Sequence, residues 1–135
     1  MSTVLLSAHV IVAILAVGPI AVAASIFPRY VDTPVVATVL YRLCVTYAAV
    51  GVAVPMLGIA TAVAMGVLTD AWVLVSIGLT AVAALVLVAV ILPAQRVALA
   101  GGGVGRLAMT TGIFNLLWVA VTILMIVRPG STTGV

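Results

Sequence analysis

Few residues in this chain can take part in chemistry: one His, one Cys, two Asp and five Arg, with no Glu and no Lys. His9 stands in an otherwise apolar run. An ionisable side chain inside a membrane segment is a functional hypothesis by default. Imidazole can relay a proton, ligate a haem or metal, or contact a quinone, so His9 is the candidate cofactor-binding residue. The alternative reading is a neutral ring bonded to a neighbouring carbonyl or Thr hydroxyl. Asn115 is the most polar residue near the middle of another apolar run and is the candidate substrate-binding residue. It can equally act as polar glue, bonding Thr111 or Thr122 on its own helix or a Ser or Thr on the third.

The remaining candidates lack partners. A metal site commonly needs three or four ligands, and Cys44 falls at the opposite leaflet from His9, so no metal site is expected within the chain. A lone Cys cannot form an intramolecular disulfide, and when buried it serves as a small hydrophobe. Asp32 and Asp70 are expected on opposite sides of the membrane. General acid–base catalysis needs groups within reach of one proton. No catalytic residues are therefore expected, and the chain does not read as an enzyme. Gly101 to Gly105 is rich in glycine, but no strand precedes it and no Lys follows it, so it is not a phosphate cradle.

The elements that must position these residues follow from composition. Over 135 residues, 67% are hydrophobic and 5% charged, and mean hydropathy is +1.55. A soluble domain carries roughly 25% charge. This composition excludes a cytosolic enzyme, a disordered tail and a nucleic-acid partner, because five scattered arginines make no basic patch. Four spans of ~20 residues fit the length with short connections.

The spans are expected at about 4–27, 34–68, 71–92 and 107–127, as a single membrane domain over 1–135. The first lacks a preceding basic residue and is longer than a ~7–15-residue leader core, so it reads as a membrane helix. Pro28 should end it. Asp32 or Thr33 can cap the second, with Pro34 at its first position. Pro19 and Pro55 sit inside spans and predict kinks or hinges. Thr69 and Asp70 make a tight hairpin. Pro93 should stop the third helix, leaving Ala94 to Arg106 as a loop. The tail from Arg128 to Val135 is expected to fray.

Arg29, Arg42, Arg96 and Arg106 share one side, and Arg128 faces them alone. The excess of Arg in cytoplasmic loops puts both termini outside. Tyr30, Tyr41 and Trp72 fall near the interfaces, whereas Tyr47 and Trp118 lie deeper and suit packing. Small residues mark the expected contact faces: Gly18, Ala21 and Ser25; Gly51, Gly58, Ala62 and Gly66; Ser76, Thr80 and Ala84; Ala108, Thr111, Gly112, Asn115 and Thr122.

The segment from Ala8 to Pro19, with His9 near its start and Gly18 nine residues on, resembles the first helix of the DUF2269 type of small integral membrane proteins. That resemblance implies four helices and a membrane compartment but no activity. The abundance of Ala, Val and Gly, with Arg in place of Lys, looks like a high-GC bacterium. The expectation is an all-α four-helix bundle in a bacterial plasma membrane. It would need no cofactor and serve as a structural or accessory subunit, packing in the lipid bilayer with copies of itself or with a larger complex. The alternatives are a small-molecule transporter, or a haem- or quinone-associated redox protein using His9.

Overall fold

The computed structural model describes residues 2–127, with Ser2 described by its backbone alone. Among them every regular element is helical and no strand occurs. Four stretches are long and apolar enough to cross a membrane: Thr3–Tyr30, Pro34–Met65, Ala71–Leu99 and Leu107–Val127. At ~1.5 Å per residue, the 28, 32 and 29 residues of the first three exceed a ~30 Å hydrocarbon core. They must tilt or protrude.

Helix α1 is Ser2–Ile26 and runs unbroken through Pro19. It tightens into one turn of 3-10 helix over Phe27–Tyr30, with Pro28 at the start of that turn. The second span is two helices, α2 (Pro34–Gly51) and α3 (Ala53–Met65), meeting at Val52. Pro34 opens α2 at a position where its missing N–H is harmless. Thr33 caps it with its backbone carbonyl alone, accepting from Ala37 N–H at 3.0 Å. Pro55 accounts for the break at Val52. Its ring clashes with the carbonyl four residues back, at Gly51, and it donates nothing to the ladder.

The second span ends at Met65 rather than near Leu68. Gly66 adopts φ 72°, Val67 N–H reaches back to Ala62 O at 2.9 Å, and Gly66 N–H to Val63 O at 3.1 Å. This paired closure satisfies the last carbonyls, and it needs the left-handed backbone that glycine adopts without strain.

The third span overturns the expectation that Pro93 stops the helix. α4 (Ala71–Leu85) widens into a π-helical turn over Val86–Ile91 and continues as α5 (Leu92–Leu99). In the wide turn Leu92 N–H bonds Leu87 O, five residues back. That extra residue per turn relieves the clash a proline at 93 would cause in an ordinary α ladder. Pro93 therefore begins α5, and the loop shrinks to 100–106. α6 is Leu107–Val127. The tail from Arg128 lies outside the described residues.

The packing divides the bundle into two halves. α1 lies along both α2 and α3, α4 along α6, and α5 against α2, while α3 meets α4 only sparsely. At the end bearing the two longer loops the bundle is closed. Ile20, Ala24, Phe27, Leu40, Ile91 and Phe114 are among the side chains that fill a continuous core there. Toward the other end, which bears the α3–α4 turn, the helices part.

Candidate functional site

The parted half encloses a cavity of about 590 Å³ between α1, α3, α4 and α6. His9 reaches it from α1, Gly58 and Thr61 from α3, Trp72 and Ser76 from α4, and Trp118 and Thr122 from α6. Ile14 and Gly18 on α1, Pro55 and Ile59 on α3, and Ile77, Ala81 and Ala84 on α4 also line it and remain exposed. The cavity thus opens sideways, between the α1–α3 pair and α4. In a bilayer that opening faces acyl chains.

His9 is a buried polar side chain that reaches this space from α1. The ring is 7% exposed. Its Nδ1 lies 2.9 Å from the Val54 carbonyl. A carbonyl oxygen only accepts, so Nδ1 carries the hydrogen, and in the neutral ring Nε2 carries the lone pair. The imidazole rests on the backbone of Gly58. A Cβ at Gly58 would stand 2.9 Å from His9 Cε1 and 3.5 Å from Nε2. Any larger residue at this position would force the ring to shift, so α3 offers the ring a seat.

Three of the lining hydroxyls have their hydrogens committed, whereas that of Thr80, also on the lining, makes no such bond among the described residues. Thr61 Oγ1 donates to Leu57 O at 2.7 Å, Ser76 Oγ to Trp72 O at 2.7 Å, and Thr122 Oγ1 to Trp118 O at 2.8 Å. Each bond to the preceding turn satisfies a donor that lipid cannot. It leaves lone pairs on the three oxygens. The indole N–H of Trp118 is buried and meets no acceptor among the described residues. Trp118 also packs edge-on against Phe114, with ring centroids 6.1 Å apart.

The small-residue stripes divide between contact and cavity. A Cβ at Gly51 would stand 4.0 Å from Ala16 Cβ and Ile20 Cδ1, and one at Gly58 would strike His9, so α1 does pack on the expected face of the second span. Ser76, Thr80 and Ala84 instead line open space, as does Gly18, which has no neighbour within 4 Å of a Cβ position. A stripe records closeness only where another helix occupies it.

Asn115 stands elsewhere. Its Nδ2 donates to Ser25 Oγ on α1 at 3.0 Å, in place of the expected partners on its own helix or the third. Its Oδ1 has no partner among the described residues. It lines a shallower groove of about 350 Å³ with Ala21 and Ile123. Trp118 and Thr122 border both spaces, but Asn115 does not reach the cavity of His9.

Sequence reasoning passed over Gln95, which is fully buried in the closed half. Its Nε2 lies 3.7 Å from Cys44 Sγ, and its Oε1 has no partner among the described residues. A helix continued through Pro93 reveals it: Ala83, Leu87, Ile91, Gln95 and Ala98 fall on one buried stripe. Cys44 and His9 lie in different halves. No group of three His, Cys, Asp or Glu that could hold a metal occurs among the described residues.

No family model, no curated protein and no solved structure matches the chain.

Proposed function

We propose that this chain is a multi-pass protein of the bacterial plasma membrane, without a catalytic site of its own, which holds a small, largely apolar molecule in the cavity beside His9. One observation carries the reading: the cavity in the parted half of the bundle contains a buried imidazole, oriented by the Val54 carbonyl and seated on Gly58. A bundle with a purely mechanical role gains from filling such a space, because voids cost dispersion contacts. The volume falls within the roughly 300–1,000 Å³ of small-molecule sites, and the sideways opening suits a ligand arriving from lipid. The Arg bias supports the cytoplasmic placement of the two longer loops.

A second reading, an accessory subunit packing with copies or partners, draws support from the Ser25–Asn115 pair. Ser25 is exposed and Asn115 half-buried, so their hydrogen bond lies at the surface of the bundle. A polar pair on the outer face of a membrane bundle suits a contact with another helix.

Native mass spectrometry from mild detergent tests both readings. Wild-type protein should carry a bound small molecule, and Ala81→Phe, which fills the opening, should lose it while remaining folded. Wild-type protein without any bound species would contradict the binding reading. The same spectra report the mass of the assembly, and a strict monomer would contradict the subunit reading.

A further inference from the structure

The hydrogen-bonding polarity of the cavity specifies its occupant more narrowly. Resting on the binding reading above, we propose that the cavity selects an apolar molecule carrying a hydroxyl group, with His9 Nε2 as the acceptor that anchors it.

The argument is an inventory of lone pairs and hydrogens. Nδ1 of His9 is committed to Val54, so the ring offers Nε2, an acceptor in the neutral form. The hydrogens of Thr61, Ser76 and Thr122 are committed to the preceding turn of their own helices. Their oxygens therefore keep lone pairs and act only as acceptors. Among the described residues no Arg and no Asp lines the space. An ionised headgroup, whether phosphate, carboxylate or ammonium, would enter it without a counter-charge, which burial penalises heavily. A ketone, ester or ether brings only acceptors, which can take the Trp118 N–H but leave His9 Nε2 without a donor. A hydroxyl brings a donor for His9 Nε2, and its own oxygen can accept from the Trp118 indole N–H, which meets no acceptor among the described residues, or from the Thr80 hydroxyl on the lining. The remainder of the wall is aliphatic or aromatic and suits a hydrocarbon or ring body. Long-chain alcohols and phenols meet this description. The oxidised, carbonyl-bearing counterpart of a phenol does not.

The chain's two tryptophans, Trp72 and Trp118, both line the cavity, so their emission reports occupancy. Purified protein in detergent is titrated with farnesol and, separately, with farnesyl methyl ether, which keeps the carbon skeleton and removes the donor. Wild type should hold the alcohol about five- to tenfold more tightly, the worth of one hydrogen bond. His9→Phe, which keeps an apolar ring on Gly58, should bind both probes with the affinity of the ether. Thr61→Val preserves shape and removes one secondary acceptor, so it should leave most of the preference intact. Equal, saturable binding of both probes by wild type would overturn the hydroxyl assignment while leaving a ligand-binding cavity. No emission change with either probe would overturn the cavity reading together with it. A preference that survives in His9→Phe, or disappears in Thr61→Val with His9 present, would remove His9 as the anchor.

Discussion

At the scale of single residues, His9 and Gly58 act as one unit. The ring can turn its Nδ1 toward Val54 only because α3 presents no side chain beneath it. Gly58→Ala would place a methyl 2.9 Å from His9 Cε1, closer than carbon atoms tolerate. The expected loss is about 1–3 kcal/mol, the usual range for overpacking a filled site, together with the Val54 bond. Adding His9→Ala should return much of that stability, because the second change removes the atoms that the first one strikes. A double-mutant cycle from unfolding in detergent measures the coupling. Additive losses would mean that the two residues do not share space. His9 was conspicuous in the sequence as a lone ionisable group, but its partner was not. Gly58 looked like any other small residue on a stripe, since a glycine's role depends on what crosses it.

At the scale of elements, prolines and one glycine set where the helices bend and end. Pro55 breaks the second span at Val52, and Pro93 is absorbed by a π-helical turn that carries the third span on to Leu99. A proline in a sequence announces a lost hydrogen bond. Whether the helix stops, kinks or widens depends on what waits beyond it. Beyond Pro93 the buried faces of Gln95 and Ala98 pack into the closed half, and continuing the helix keeps their backbone groups paired. Gly66 is simpler, because its φ of 72° is a local demand of the turn. Gly66→Ala should destabilise the protein by about 1–2 kcal/mol, the strain of a left-handed alanine. Gly66→Asn should cost less, because asparagine tolerates that region. Thermal unfolding of the two variants in one detergent checks the order, and equal Tm values would remove Gly66 from its capping role.

At the scale of the whole molecule, the division into a closed and a parted half is the property with functional weight. The two longer loops lie at the closed end, and the Thr69–Asp70 turn lies beyond the cavity. If the Arg-bearing loops are cytoplasmic, the cavity occupies the outer half of the bilayer. Impermeant maleimide tests this in a Cys44→Ala background. Thr69→Cys should label in intact cells, and Gly103→Cys only after permeabilisation. The reverse pattern would invert the topology and move the cavity to the inner leaflet.

Composition alone determined the class of fold. A chain with so few charged groups can satisfy its backbone in lipid only by internal hydrogen bonds, and its four apolar runs have helical spanning length. The hairpin at Asp70, the helix start at Pro34 and the exceptional status of His9 were equally legible, because each follows from local chemistry. The cavity was not legible, nor were the Gly58 seat under His9, the Ser25–Asn115 pair and the burial of Gln95 against Cys44. Small residues at helical spacing permit either close packing or empty space. Only the way α3 and α4 diverge from a common turn decided which of them meet a neighbour and which line a void.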